Sequence, residues 1–162
     1  MHNDNKIMTN SIGIRVTPRT IYYSIVEENK GEIEIKIIDK VNNPKALNMP
    51  EQLKFLRNTL CDIINEFKIT NACIRIAEST AQSLNISRVY IEGIIQELFA
   101  SSTIEKYFVG QISSISSNLG IERSNFKPFA EGKEIFLGIE NWKNYSLEHR
   151  ESLMSAISAL NI

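Results

Sequence analysis

The residues that could do chemistry in this chain are dispersed, and no complete catalytic motif gathers them. Arg15 lies midway along an alternating apolar–polar run, and Arg75 lies between Ile74 and Ile76 in a second β-rich run. A guanidinium in either place could grip a phosphate or carboxylate with its planar fork, or be neutralised by a nearby acid in a structural ion pair. Glu78 follows the second run, Glu92 lies within a helical pattern, and Glu151 stands near the start of the last helical pattern. If the fold brought these three carboxylates together they could hold Mg²⁺. With 19 acids in the chain, some such near-meetings arise by chance.

Other chemistries are excluded or weakened by what is missing. The histidines, His2 and His149, have no nucleophile beside them, and neither a Gly-x-Ser-x-Gly turn nor a Gly-x-x-x-x-Gly-Lys-Ser/Thr phosphate loop occurs. Cys61 and Cys73 each sit inside a periodic apolar segment with no partner at metal-ligand spacing, so both are expected as buried reduced thiols and no zinc site is expected. "ERSNFKPFAEGKEIF" interleaves Arg123, Lys127 and Lys133 with Phe126 and Phe129, a pattern able to contact phosphates and stack on bases. Glu122, Glu131 and Glu134 dilute it, so a surface loop with its phenylalanines tucked under is preferred. Trp142 and Tyr145 could anchor a partner but are better placed to close the edge of a core.

The elements that must position these residues are legible from periodicity. "IGIRVTP" puts Ile12, Ile14 and Val16 on one face and Gly13, Arg15 and Thr17 on the other, and Pro18 ends the run. A second strand runs from Ile21 to Glu27, and "EENKG" supplies Asn29 and Gly31 for a tight hairpin. "EIEIKII" then places Ile33, Ile35 and Ile37 opposite Glu32, Glu34 and Lys36, whose charges would protect an edge strand. Pro50 opens a helix carrying Leu53, Leu56, Leu60, Ile63, Ile64 and Phe67 at three- and four-residue intervals.

"NACIRIA", Asn71 to Ala77, reads as a strand buried in mid-sheet, followed by the loop "ESTAQSLNIS". Ser87 could cap a helix from Arg88 to about Ala100, with Val89, Ile94, Ile95 and Leu98 inward and Gly93 approaching the sheet closely. "TIEKYFVG" is a fifth strand, "QISSISSNLG" a short helix ended by Gly120, and Ile121 to Gly132 a basic irregular stretch. Ser146 caps a last helix with Leu147, Leu153, Met154, Ile157 and Leu160.

Three antiparallel strands followed by helix, strand, helix, strand and terminal helix describe an α/β fold, a five-stranded mixed sheet flanked by helices. The 162 residues, 43% hydrophobic, suit one core: residues 1–10 are expected as a disordered lead and 11–162 as a single domain. A net charge of −1 does not supply the broad positive field of a non-specific DNA binder. No apolar stretch approaches the roughly 20 residues needed to span a bilayer, so no membrane role is expected and the cytoplasm is the expected location.

The order of elements, with "IGIRVTP", "CIRIAE", "SRVYIEGIIQEL" and "EHRESLMSAISAL", resembles the ribonuclease H-like superfamily and its Holliday-junction-resolvase branch with small bacterial relatives. The resemblance covers roughly Ser11 to the C-terminus. In active members the first strand carries Gly-Ile-Asp, the fourth ends in Ile-Glu, and the last helix opens on an Asp. Here Arg15 stands at the first position, Arg75 and Glu78 flank the second, and Ser152 is the nearest match to the third, with Glu151 beside it. Two-metal phosphodiester hydrolysis needs carboxylates converging on ions about 4 Å apart, whereas Arg15 puts a permanent positive charge there.

The resemblance therefore implies a vestigial site at Arg15, Arg75, Glu78 and Ser152, no cofactor, and a catalytically inactive domain that binds a protein partner or a second copy of itself. Two alternatives stand beside it. One is an Mg²⁺-dependent nuclease with relocated carboxylates Glu78, Glu92 and Glu151. The other is a non-catalytic nucleic-acid binder using Arg123, Lys127 and Lys133.

Overall fold

In a computed structural model, which describes residues 8–79 and 82–162, the chain opens with the meander β1 (Thr9–Val16), β2 (Thr20–Asn29) and β3 (Glu32–Asn42). Helix α1 (Met49–Glu66), strand β4 (Asn71–Arg75), helix α2 (Ile86–Ser101) and strand β5 (Lys106–Gly110) follow, then α3 (Ile112–Leu119), α4 (Phe126–Ala130) and α5 (Leu147–Ser158). The sheet order is β3-β2-β1-β4-β5, antiparallel through the meander and parallel from β1 to β4 to β5. This is the expected α/β architecture. Of the expected disordered lead, residues 1–7 lie outside the described residues, and Thr9 and Asn10 already pair with Glu28 and Glu27 in β1.

Two apolar cores, not the one expected, flank the sheet, because both of its faces are covered by helices. On one face α1 and α2 bury Leu56, Leu60, Ile64, Ile91, Ile95 and Phe99 against Ile12, Ile14 and Ile74. On the other, α3, α4 and α5 enclose Ile115, Phe126, Leu153, Met154 and Trp142 against Val26 and Cys73. Asn48 caps α1 by accepting from the Glu51 N–H, with Pro50 in the first turn as expected. Among the described residues no helix is long and apolar enough to cross a membrane.

Helix α5 is covered on both sides: Arg150 to Ser158 are all buried. Its sheet side is a seam of small residues. Gly13 makes this possible, since a Cβ there would lie 2.0 Å from the Ser152 carbonyl oxygen and 2.2 Å from the Ala156 nitrogen. The hydroxyl of Ser11 donates to Ala156 O at 2.7 Å, and the Ser24 and Ser152 hydroxyls meet at 2.6 Å. Burial pushes the Cys73 thiol up to about 12, so it is an inert packing group, whereas Cys61 is only half-buried.

The outer side of α5 is covered by the stretch read from sequence as irregular. A short 3₁₀ turn and α4 tuck Phe126 fully inside, and Trp142 is buried with its indole N–H donating to Phe129 O at 2.9 Å. The tucked phenylalanine and the core-closing tryptophan match expectation. The regular structure was hidden because Pro128, Gly132 and three acids interrupt any periodicity.

Other expectations are corrected. Asn85, not Ser87, caps α2, accepting from Arg88 N–H at 3.0 Å. Gly93 meets nothing within 4 Å and Val89 is exposed, because α2 turns its 91, 95 and 98 positions to the sheet. The hairpin's positive φ values fall on Lys30 and Gly31, with Asn29 still in β2. β3 does not hold one period: Val26 pairs Ile35 and Ile25 pairs Ile37, leaving Lys36 as a bulge. Ile35 and Ile37 consequently pack into opposite cores.

Candidate functional site

The expected vestigial site lies where β1 and β4 end. These strands run parallel with Arg15 opposite Arg75, so both guanidinium groups leave the same face of the sheet, the one α5 covers. Two like charges side by side and largely buried require a counter-charge. α5 supplies it. Glu151 accepts from the Arg15 Nε–H through Oε2, and its Oε1 lies 3.9 Å from Arg75 Nε. The side chains of Arg75 and Glu151 are 7% and 8% exposed, and that of Arg15 is 15% exposed.

Arg75 is held from three further sides. Its Nη1 lies 3.3 Å from Glu78 Oε1 and donates to Ile76 O, and its guanidinium carbon sits 5.7 Å from the centre of the Phe126 ring. Its Nε is buried without a hydrogen-bond partner among the described residues, so the Glu151 contact is electrostatic only. Arg15 Nη1 also donates to Val16 O at 2.6 Å. Glu78 has a second task, accepting from the Ile112 N–H at 2.8 Å and so placing a carboxylate at the start of α3.

α2 adds a third pair that the sequence reading missed. Arg88 Nε lies 3.5 Å from Glu92 Oε1, and Glu92 Oε2 accepts from the Ala77 N–H at 3.2 Å. Burial pushes the Glu92 carboxyl up against the opposing pull of Arg88 and the Ala77 N–H. Burial likewise pushes Arg88 down, helped by the positive charge of Arg15. The signal for this pair was present as the four-residue spacing of Arg88 and Glu92 in "SRVYIEG".

The site is therefore a charge-balanced cluster of Arg15, Arg75 and Arg88 with Glu78, Glu92 and Glu151. The three acids weighed as metal ligands do come to one end of the sheet, but each is engaged by a guanidinium. Among the described residues no three Asp, Glu, His or Cys side chains are placed to hold a metal ion. Ser152 is not part of the cluster: its hydroxyl is buried against Ser24 and donates to His149 O at 2.8 Å.

Of the expected binding residues, Arg123 and Lys127 line a cleft of about 550 Å³ with Glu78, Ile112, Glu122 and Ser124. Lys133 does not join them; it is exposed and paired with Glu131 at 2.7 Å. His2 lies outside the described residues. His149 is half-buried, with its ring edge-on to Tyr22 at 4.9 Å between centroids.

No protein-family model and no curated protein sequence matches the chain. Solved structures do. The structure of RuvC from Thermus thermophilus superposes with a TM-score of 0.71 at 11% identity, over 93% of this chain and 92% of that one. The yeast mitochondrial Holliday junction resolvase Ydc2 gives 0.57 at 14% identity, over 93% and 77%. The Fowlpox virus resolvase, solved with substrate Holliday junction DNA, gives 0.51 at 12%, over 94% and 95%. The chain has the ribonuclease H-like fold that these Holliday junction resolvases share.

Proposed function

We propose that this protein is a ribonuclease H-like domain without nuclease activity that serves as a recognition or assembly module, with a protein or a second copy of the chain as its partner. The observation that carries this reading is the Arg15–Glu151–Arg75 arrangement. A metal-dependent phosphodiesterase needs uncompensated negative charge to draw Mg²⁺ and hold it against the phosphate. Here three guanidinium groups neutralise three carboxylates from within, and neither a divalent cation nor a phosphate gains net attraction. The apolar outer face of α2, with Ile86, Val89 and Tyr90 exposed, supports a protein partner.

The test is incubation of the purified protein with Mg²⁺ or Mn²⁺ and single-stranded, duplex and four-way-branched DNA. No cleavage is expected. Cleavage that Glu78→Ala abolishes would establish the alternative of relocated carboxylates.

A second reading, nucleic-acid binding without catalysis, is favoured by Arg123 and Lys127 sharing one cleft beside Glu78, and by structural neighbours solved with junction DNA. Retention on labelled branched DNA that falls steeply with salt is the result that reading requires.

A further inference from the structure

The hairpin end of the sheet, far from the arginine cluster, carries a feature that the folded core does not explain. Leu137 is 65% exposed and adopts φ 51°, ψ 26°, a left-handed conformation unfavourable for a leucine. It overhangs a groove of about 240 Å³ whose lining is otherwise Gly31, Ile33, Ile35, Ile139 and Ile157. Ile33 is itself 40% exposed. An apolar side chain held out at a backbone cost over an open groove lined by aliphatic side chains and polar backbone is a contact available to an extended chain.

β3 forms one wall of that groove and is an outer strand of the sheet, paired among the described residues with β2 alone. Its outward N–H and C=O groups can accept another strand. Between Glu32 and Ile35 the ladder is regular, so Ile33 and Ile35 point to the groove and Glu32 and Glu34 to the opposite face. On that opposite face Glu34 is the register partner of Glu27, a like-charge cross-strand pair that is unfavourable by itself. Among the described residues one cation, Lys36, serves both, at 3.3 Å from Glu34 and 3.8 Å from Glu27. A second cleft on this hairpin is lined by Glu27, Glu32 and Glu34 together with Asn29, Lys30 and Ile33.

We propose that the outer edge of β3 is a docking site for an extended segment of a partner protein in which aliphatic and basic residues alternate. Main-chain hydrogen bonds extend the sheet, the aliphatic side chains enter the groove under Leu137, and the basic ones meet Glu32, Glu34 and Glu27. A second copy of this strand is a poorer match, since its cation here, Lys36, is already engaged by its own Glu27 and Glu34 while Glu32 and Glu34 add negative charge. The inference deepens the recognition-module reading and rests on it for the choice of a protein as partner.

The test titrates the full chain with a peptide of about eight residues alternating lysine and leucine, and with its glutamate–leucine counterpart, following isoleucine and leucine methyl resonances by NMR. The lysine peptide is expected to bind, to shift Ile33, Ile35, Leu137 and Ile157, and to weaken as salt rises. Leu137→Gly, which removes the side chain and relieves the left-handed leucine, is expected to weaken binding about tenfold with no loss of thermal stability. The Glu32→Lys/Glu34→Lys double variant, whose changes are on the surface, is expected to reverse the preference between the peptides. Equal binding of both peptides by the wild type, shifts confined to other methyls, or variants binding like the wild type would overturn the proposal. The titration uses no DNA and the cleavage assay no peptide, so failure of the docking site and failure of the non-nuclease reading are read separately.

Discussion

Arg15 and Arg75 are register partners in adjacent parallel strands, and their guanidinium groups emerge side by side beneath α5. Among the described residues Glu151 is the one acid that faces both. Removing it leaves two buried like charges, with Glu78 close only to Arg75, whereas removing Arg15 leaves Glu151 still facing Arg75. The Glu151→Ala variant is expected to lose about 3 kcal/mol of stability and Arg15→Ala clearly less, as read from urea unfolding midpoints. Equal losses would mean that Glu151 does not bridge the two strands.

The Arg88–Glu92 pair is predicted to behave differently. Burial disfavours the charged form of both partners, raising Glu92 and lowering Arg88, so their attraction does not recover the whole desolvation cost. Replacing both by methionine is expected to leave stability within about 1 kcal/mol of wild type or raise it, while Glu92→Ala alone costs about 2 kcal/mol. A double variant less stable than both single variants would contradict this account.

Gly13 is the position where the sheet and α5 come closest. Because the atoms a Cβ would strike are the backbone of Ser152 and Ala156, no rotamer change makes room. Gly13→Ala is expected to destabilise by about 3 kcal/mol, from forced separation of α5 and β1, and Gly93→Ala to be neutral or stabilising because nothing lies within 4 Å of it. Comparing the two melting temperatures checks both halves.

These contrasts also mark how far the sequence could be read. Strand and helix order followed from alternation and three- or four-residue spacing, because one-sided burial writes itself into the chain. Where burial is two-sided the signal fails: α5 has core on both sides, so its serines face a sheet rather than water. The bulge at Lys36 was invisible because an inserted residue leaves the Ile33–Ile35–Ile37 pattern intact while reversing the last face. At the site, Arg15 and Arg75 were identifiable from their places on strands. Glu151 as their shared counter-ion needed the register of β1 and β4 and the path of α5, which are long-range facts. Ser152 is the nearest match to the family pattern with Glu151 beside it, and one residue of helix rotation puts Glu151 at the cluster and Ser152 against Ser24.

His149 gives the fold a pH dependence with a definite sign. Its imidazole is half-buried and edge-on to Tyr22, and its Nε2 is buried with no hydrogen-bond partner among the described residues. Burial lowers its pKa, the Asp39 backbone pulls the other way, and the positive charge of Lys40 lowers it further. A native value below the unfolded value of about 6.5 means that the unfolded chain binds the proton more readily. The stabilising contribution of neutral His149 is therefore complete above about pH 6.5 and is lost as pH falls through the lowered native value. Glu92, raised by burial, contributes with the opposite sign at lower pH, so wild type alone does not isolate the histidine. Unfolding midpoints of wild type and His149→Gln from about pH 7.5 down to about 5 do so: the wild type is expected to lose more stability over this range than the variant. Parallel curves would show that the ring is solvated when protonated, and that its packing against Tyr22 does not hold it neutral.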